Sequence, residues 1–542
     1  MAQNAIFGIN SNLDTGGIID NLIKLQAQPI GIIEAKRALE EAKLLGFRDL
    51  KDRLQNFKSV VNTLNTESRF LSTEGEFSNN NATDSNTVVD LTTSSSATSG
   101  TFSLTVNNLA LETKLLSTGF AETSSEFTQG TFDITVGSTV TSITIDETNN
   151  TLDGLRLAIN NSGANVQANF LNDGSDTNPV RLIVSGTQTG ADNAVSVSLT
   201  TNLFGVGNQT LVLFEETQAA KDASFTLDGV AVTKSSNTVT DVITGTTLEL
   251  KSAGSGTITL GPDLDAIKEK IQNYVDGFNE LMLHLNNELA LQSDTGETGV
   301  LFANFAVQNL QQSLRETISN QVVGVTGDFT YLSQIGIRTQ SDGTLAIDDG
   351  DLSTALASNI ENITQLFSSS GRTTNAAVTF VGFTDDTEPG GYTVQVSGGV
   401  PQLATSGSTT FVDAVGSGNF YSGAEGTDSE DLNFRIGDLT DGDFGTITLS
   451  IGVAQITNRI LAKLTDASLG GPIEAEIDSA TDLITDYDET ILDLEERLVL
   501  FEENTRERFT NLEVVLGKLN SQRDSFNSSI AGITALFTNQ NR

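Results

Sequence analysis

The stretch Ile484–Phe526 reads ITDYDETILDLEERLVLFEENTRERFTNLEVVLGKLNSQRDSF, with an apolar residue at nearly every third or fourth position. This spacing is the heptad repeat of a coiled-coil helix, and it places a narrow apolar stripe along a rod about 60 Å long. Because so long a stripe cannot fold back on itself, the sequence predicts a partner helix. The predicted stripe, named the C-terminal seam, consists of Ile484, Tyr487, Ile491, Leu494, Leu498, Phe501, Leu512, Val515, Leu519 and Phe526.

A candidate partner with the same spacing lies near the other end of the chain. Its apolar positions, named the N-terminal leg residues, are Phe47, Leu50, Leu54, Phe57, Val61 and Leu64. We therefore expect the two terminal helices to pair as a coiled-coil leg. Thr505 and Arg508 interrupt the C-terminal seam. Either they are ordinary imperfections of a coiled coil, or they allow the leg to open and pair again.

Composition limits the classes of function. The formal net charge of −41 argues against nucleic acid and anionic membranes as partners, because binding to them depends on clustered Lys and Arg. Without cysteine the chain has no disulfide, thiolate metal site or cysteine nucleophile. No apolar run approaches the roughly 18–20 residues of a transmembrane helix, so we expect no integral membrane segment. Residues 1–21 also lack the pattern of a secretory signal peptide.

Periodicity and composition divide the chain into segments. Residues 18–72 show helical spacing, with a break expected near Pro29. The full division is a flexible N-terminal segment (1–17), an N-terminal helical leg (18–72), a linker (73–100), a β-rich body (101–262), a helical and mixed body (263–373), an inserted β-rich domain (374–452) and a C-terminal coiled-coil leg (453–542).

The fold class follows from a change of period between the terminal helices. Phe102, Leu104 and Val106 alternate with polar residues, which is typical of a half-buried strand. The Asp-Gly pairs at 228–229 and 342–343 are typical of hairpin turns. We predict an α+β multidomain fold, in which terminal helices form a coiled-coil leg and two antiparallel β-rich bodies are inserted between helical segments.

Residues that usually carry catalysis are sparse. His284 is the single histidine, and its apolar helical surroundings favour a packed residue over a catalytic base. One histidine without cysteine supplies neither a catalytic triad nor a zinc site. The acidic turns at 348–351 and 438–443 lack the spacing of a calcium loop, and the Gly-x-Gly segments lack the context of a dinucleotide fold. We expect no enzyme, no metal and no cofactor.

Three segments resemble the bacterial flagellar filament cap proteins, also called the hook-associated protein 2 family. The first is FGINSNLD at 7–14 followed by IIDNLI at 18–23, with Asn12 where glycine is usual. The second is LRLAINN at 155–161, which is similar to the Ile-Asn motif of hook-associated proteins. The third comprises LEERL at 494–498 and RERFTNLE at 506–513. Their order and spacing agree over nearly the whole chain, apart from residues 374–451.

The resemblance implies a non-enzymatic, structural role. Members of the family leave the cell through the flagellar type III export apparatus, with an export chaperone as a further candidate partner. They assemble as a homo-oligomeric ring at the extracellular distal tip of the flagellar filament. There they promote insertion of exported flagellin and prevent its leakage. By this resemblance, the C-terminal seam would face flagellin helices.

Other functions fit parts of the sequence. A hook–filament junction component would share the Ile-Asn motif, but it is disfavoured by the C-terminal resemblance. A surface adhesin would bind glycans through the β-rich domains, above all residues 374–451. A secreted glycoside hydrolase would need a pair of carboxylates, and nothing in the sequence singles out such a pair.

Overall fold

The computed structural model describes residues 14–80, 86–94, 96–199, 212–291, 298–325, 327–465 and 471–539. They form two compact units. One unit combines the described residues up to Thr66 with those from Lys270 onward, and the other is residues 67–269. The predicted flexible segment 1–17 lies largely outside the described residues, but its last residues, from Thr15, are helical.

The first helix, α1 (Thr15–Val61), is continuous through Pro29. Asp14 caps its first turn, since the carboxylate accepts a hydrogen bond from the Gly17 N–H at 2.9 Å. The break predicted near Pro29 is therefore wrong. Proline removes one backbone donor, and packing of the helix along its length compensates for that loss.

The unit of residues 67–269 contains α2 (Glu67–Phe70), α3 (Leu152–Asn160) and a set of antiparallel strands. The strands are β1 (Thr73–Asn79), β2 (Val89–Thr93), β3 (Gly100–Asn108), β4 (Lys114–Ser117), β5 (Gly130–Val136), β6 (Thr139–Ile145), β7 (Val166–Asn172), β8 (Val180–Gly186), β9 (Val195–Leu199), β10 (Phe214–Gln218), β11 (Ala223–Leu227), β12 (Val230–Lys234), β13 (Thr238–Ile243), β14 (Thr246–Leu250) and β15 (Gly254–Pro262).

These strands enclose two hydrophobic cores. The sheets β10-β4-β8-β7 and β6-β5-β9, together with α3, surround a core that includes Phe132, Leu155 and Ile159. The sheets β1-β15-β3-β11-β12 and β13-β14-β2 surround another that includes Leu104 and Phe225. The predicted body 101–262 thus contains most of two separately packed β-structures.

Segment 73–100 was predicted to be a linker, and this prediction is wrong. It contributes β1, which pairs with β15, and β2, which pairs with β14. Only alternate residues of β1 are half-buried, and none is fully buried. An edge strand of this kind needs few apolar residues, which explains why its polar composition resembles that of a linker.

The turn predicted at Asp228-Gly229 joins β11 to β12. Leu227 pairs with Val230, and the two intervening residues have φ of 50° and 79°. A two-residue turn with positive φ at both positions is a type I′ hairpin, which favours Asp-Gly. The hairpin prediction is confirmed here.

The other unit continues from α4, which spans the boundary between the two units. Its elements are α4 (Leu264–Glu288), α5 (Phe305–Ser319), β16 (Ile337–Thr339), β17 (Leu345–Ile347), α6 (Asp349–Ser358), α7 (Ile360–Phe367), β18 (Ser369–Thr373), β19 (Val378–Gly382), β20 (Gly390–Ser397), β21 (Val400–Thr405), β22 (Val412–Asp413), β23 (Val415–Ser417), β24 (Phe420–Ser422), β25 (Asn433–Ile436), β26 (Gly442–Ile451), α8 (Val453–Thr465) and α9 (Pro472–Asn539).

Strands β18–β26 form the inserted domain. The sheets β18-β26-β20-β21-β22 and β19-β25-β24-β23 share one core that contains Tyr392, Phe434 and Ile447. Arg459 of α8 holds the loop at 383–387. Its guanidinium lies 3.0 Å from the Asp385 carboxylate and donates to the Thr384 carbonyl at 2.8 Å. Terminal helices and antiparallel β-rich bodies confirm the predicted α+β class.

Candidate functional site

The helices α1 and α9 pack against each other and form what we call the leg hairpin. Ion pairs join them along their length: Asp20 with Arg506 (3.9 Å), Arg37 with Asp488 (2.5 Å) and Lys51 with Glu474 (2.5 Å). The residue numbers of each pair add up to 525 or 526, so the helices are antiparallel in one register. Residue n of α1 therefore lies level with residue 525 − n of α9.

The first part of the C-terminal seam lies along this hairpin. Ile484, Tyr487, Ile491, Leu494, Leu498 and Phe501 are all half-buried. On the facing helix the half-buried positions repeat at the same spacing and include Ile23, Ile30, Ile33 and Leu44. Sequence reasoning missed these α1 residues, although their spacing of three and four was visible upstream of Phe47.

The N-terminal leg residues have a different environment from the one predicted. Phe47, Leu50, Leu54, Phe57, Val61 and Leu64 are all buried. In the observed register, Leu54 lies level with position 471, before α9 begins at Pro472. The residues from Leu54 onward therefore cannot meet the seam. Phe57 packs in the helical body instead, with its ring 5.5 Å from that of Tyr274 and 6.3 Å from that of Phe278.

The inward face of α9 shifts by one residue after Thr505. Thr505 itself is buried, and the next inward positions are Phe509, Glu513 and Leu516 rather than Arg508, Leu512 and Val515. A step of four residues in place of three shifts the heptad phase by one residue and rotates the stripe around the helix. The strict heptad assumed from the sequence ignores this rotation, because it was read only from the spacing of apolar residues.

The second part of the C-terminal seam is exposed. The exposed fractions are 46% for Leu512, 51% for Val515, 53% for Leu519 and 66% for Phe526. Ile530 and Ile533 continue the same stripe and are also exposed. Among the described residues α1 begins at Thr15, which lies level with position 510, whereas α9 continues to Asn539. About 40 Å of α9 therefore extends past the described start of α1, at about 1.5 Å per residue.

One side of the leg hairpin contains a cavity of about 290 Å³. Its lining includes Lys43 and Phe47 of α1, Leu301, and Ala480 and Leu483 of α9. The lining mixes apolar side chains with polar and charged ones, among them Glu40, Lys43 and Glu476. Lys43 is already paired with Glu40 at 2.7 Å, so the cavity offers no obvious centre for chemistry.

His284 has the packed environment expected of it. Its side chain is 12% exposed, and its Nε2 lies 3.6 Å from the Asp49 carboxylate. Burial and the Arg53 guanidinium lower the pKa of His284 below its ordinary value. Within the described ranges, no group of His, Cys, Asp and Glu has the arrangement of a metal site. Over the same ranges no helix combines the length and apolar content needed to cross a bilayer.

Family comparisons agree with this architecture. The family model for the flagellar hook-associated protein 2 C-terminus matches residues 220–521, more than half of the chain. The model for the flagellar hook-associated protein 2 N-terminus matches residues 11–113. The two matches include β1 and β2 and extend into the exposed part of the C-terminal seam.

Individual relatives extend the comparison. The B-type flagellar hook-associated protein 2 of Pseudomonas aeruginosa is 30% identical over 356 residues, which cover 60% of this chain and 72% of that protein. The flagellar hook-associated protein 2 of Escherichia coli K12 is 29% identical over 407 residues, which cover 70% of this chain and 83% of that protein.

A solved structure supports the fold. The crystal structure of the D1-D2-D3 domains of the flagellar cap protein FliD from Escherichia coli aligns with a TM-score of 0.51 at 23% identity. The alignment covers 80% of this chain and 99% of that one. Together with the matched family models and the curated relatives, these findings confirm the resemblance seen in the sequence: the chain belongs to the flagellar hook-associated protein 2 family and is a cap protein of the bacterial flagellar filament.

Proposed function

We propose that the C-terminal end of α9 is the surface through which this cap protein binds flagellin helices at the filament tip. The observation that carries the proposal is the row of exposed apolar side chains from Leu512 to Ile533. Exposed apolar stripes on helices mark interaction sites, and a helical partner would meet residues spaced three and four apart.

The energetics favour a partner that covers this stripe. Burying one leucine or phenylalanine side chain contributes about 1.5–3 kcal/mol, so several such side chains supply enough free energy for specific binding. The stripe is interrupted by the polar residue Gln522. Binding of this kind needs no cofactor and no catalytic group, in keeping with a structural role.

We further propose the role of the assembled protein. The protein forms a homo-oligomeric ring at the distal, extracellular end of the filament, promotes insertion of exported flagellin and prevents its leakage. It reaches that position through the flagellar type III export apparatus, with or without a chaperone. The excess of carboxylates keeps such a secreted assembly soluble.

The test is complementation of a strain from which this gene has been deleted. Deletion should leave bare hooks and release flagellin monomer into the medium, and the wild-type gene should restore filaments. The variant Leu512→Asp with Leu519→Asp should fail to restore them, because both changes place a charge on the stripe. Filament length and flagellin in the culture medium are the measurements.

The matched control is Ser521→Asp with Ser528→Asp, which adds the same charge to the opposite face of the same helix. Both serines are exposed, so neither pair of changes should alter folding. Normal filaments from the stripe variant would overturn the proposed contact. Normal filaments in the deleted strain itself would overturn the capping role in this organism.

A further inference from the structure

The leg hairpin carries a second exposed apolar face, this one on α1. Its members are Ile18, Leu22, Leu25, Ile32 and Leu39. They are spaced seven residues apart or by steps of three and four, and they lie beside the positions that face α9. The helix α9 in turn exposes Leu492 and Val499 at the same part of the hairpin.

Helix geometry places these two faces on opposite sides of the hairpin. Ile32 precedes the inward-facing Ile33, whereas Leu492 follows the inward-facing Ile491. Each residue turns an α-helix by about 100°. In an antiparallel pair, a residue before the seam on one helix and a residue after it on the other therefore project in opposite directions.

The cavity beside the leg hairpin agrees with this geometric rule about the two sides of the hairpin. Lys43 precedes the half-buried Leu44, and Leu483 precedes the half-buried Ile484. Two residues that both precede the seam should share one side of an antiparallel hairpin. Both line the same cavity, as the rule requires.

The two faces also lie at the same level along the axis of the hairpin. In the observed register Leu25 lies level with position 500 and Ile32 with position 493, so they stand within one residue of Val499 and Leu492. A rotation about an axis parallel to the hairpin keeps every residue at its height. In a ring whose axis is parallel to the hairpin, neighbouring copies would therefore bring Leu25 against Val499 and Ile32 against Leu492.

Charge is complementary between the faces. Position 36 of the α1 face is a lysine, and none of the positions 18, 22, 25, 29, 32, 36 and 39 is acidic. The α9 face is bordered by Asp488, Glu495 and Glu502, each of which follows an inward-facing residue, and of these Asp488 is paired with Arg37 and Glu502 with Arg506 of the same subunit. Lys36 lies level with position 489, next to Asp488. In a chain of net charge −41, a face free of carboxylates is a suitable partner for an acidic one.

We propose that these faces form a head-to-tail contact between neighbouring copies in the ring, with the α1 face of one copy packed on the α9 face of the next. The proposal rests on the ring assembly of the proposed function. Two different faces on opposite sides of one subunit form a heterologous interface, which closes into a ring when the rotation divides a full turn.

Cysteine cross-linking tests the contact directly, since the natural chain has no cysteine. The full-length variant Leu25→Cys with Val499→Cys is oxidised with copper phenanthroline and analysed on non-reducing gels. The two cysteines lie on opposite sides of one hairpin and cannot form an internal disulfide. We expect a ladder of covalent dimers, trimers and larger species that collapses to monomer on reduction.

The matched control is Leu25→Cys with Leu500→Cys. Leu500 precedes the inward-facing Phe501, so it lies on the same side of the hairpin as Leu25. It is 52% exposed, against 56% for Val499, and it stands at the same height within one residue. This pair should give no ladder beyond background dimers.

Assembly measured by light scattering separates the two proposals. One outcome is that the Leu25→Cys, Val499→Cys variant forms rings of wild-type mass before oxidation but gives no ladder after it. In that case the leg contact is wrong, although the ring assembly is correct. The faces would then serve flagellin or another partner. If the wild-type chain forms no oligomer, the ring assembly itself is overturned, and the leg contact with it.

A charge variant provides an independent measurement. Leu25→Glu places a carboxylate opposite an acidic border, and Leu25 is 62% exposed, so the monomer should fold normally. We expect the concentration needed for half-assembly to rise about tenfold or more, as one unfavourable charge contact predicts. Unchanged assembly would overturn the contact.

Discussion

The side-chain amide of Asn160 forms hydrogen bonds with both backbone groups of Ala168. Asn160 Nδ2 donates to the Ala168 carbonyl at 2.9 Å, and Asn160 Oδ1 accepts from the Ala168 N–H at 2.7 Å. Ala168 lies on β7, an edge strand of its sheet, so the amide occupies the position of a neighbouring strand. With Ile159 buried in the core, the Ile-Asn motif fastens α3 to this edge.

We predict that Asn160→Ala destabilises the unit of residues 67–269 by about 1–3 kcal/mol, because it leaves a backbone donor and acceptor unpaired. Urea unfolding followed by circular dichroism measures the change. Asn160→Asp should have a smaller effect, since it retains the acceptor for the Ala168 N–H. The neighbouring exposed Asn161→Ala provides the control, and an equal loss from both alanine variants would contradict this role.

The two halves of the C-terminal seam should respond differently to the same substitution. Leu498→Asp introduces a charge between α1 and α9 and should lower the free energy of unfolding of the leg hairpin by about 1–2 kcal/mol through lost apolar burial. Leu512→Asp changes an exposed residue and should leave it unchanged. Thermal unfolding of the purified full chain distinguishes them. Equal destabilisation would show that residues near Leu512 are covered within the monomer.

Arg459 should determine how firmly the inserted domain is held to α8. Its guanidinium contacts the Asp385 carboxylate and the carbonyls of Thr384 and Thr387, and it lies 5.6 Å from the ring of Phe383. We predict that Arg459→Ala speeds limited proteolysis in the loop at 383–387 several-fold. Arg459→Lys should be intermediate, because an ammonium cannot reproduce the planar fork of donors. Cleavage at the wild-type rate would contradict this function.

Protonation of His284 should make the stability of the protein depend on pH, and the direction of this dependence can be predicted. Its folded-state pKa lies below the ordinary value, chiefly because of burial and then because of Arg53, although Asp49, Glu280 and Glu288 act in the opposite direction. The unfolded state therefore binds the proton more readily. The contribution of neutral His284 to stability is complete above its unfolded pKa of about 6.5, and it is lost as the pH falls through the folded pKa.

The measurement is the free energy of unfolding of the wild type relative to His284→Gln. This difference should shrink as the pH falls from about 7.5 to about 5, since only the wild type gains a proton on unfolding there. Subtracting the variant removes the contribution of the many carboxylates. A single histidine also gives one set of imidazole NMR signals, whose titration should show the lowered pKa directly.

Local patterns in the sequence predicted local structure well. The Asp228-Gly229 turn depends only on the two residues that adopt positive φ, and the helical spacing of Ile484–Phe501 depends only on one helix. The register between distant helices could not be predicted in this way. It depends on packing between the helices and is marked by ion pairs such as Arg37 with Asp488, both of which involve residues far apart in sequence.

The misassigned segments have different causes. Strand β1 is stabilised by its neighbour β15, so its own sequence needs little apolar character. The rotation of the α9 stripe after Thr505 follows from the difference between the straight-helix period of 3.6 and the assumed period of 3.5. For β1 the decisive interaction is with a strand far away in the sequence, whereas for α9 the error lies in the period assumed for the helix.

The pairing of α1 with α9 also suggests an order of folding. Lys51 and its partner Glu474 are 423 positions apart. A polypeptide that emerges from its N-terminus presents α1 long before α9 can cover it, so we expect contacts of such long range to form late. The β-rich units can close around their own cores in the meantime. We therefore expect the leg hairpin to form after the β-rich units, so that its formation would signal the arrival of α9.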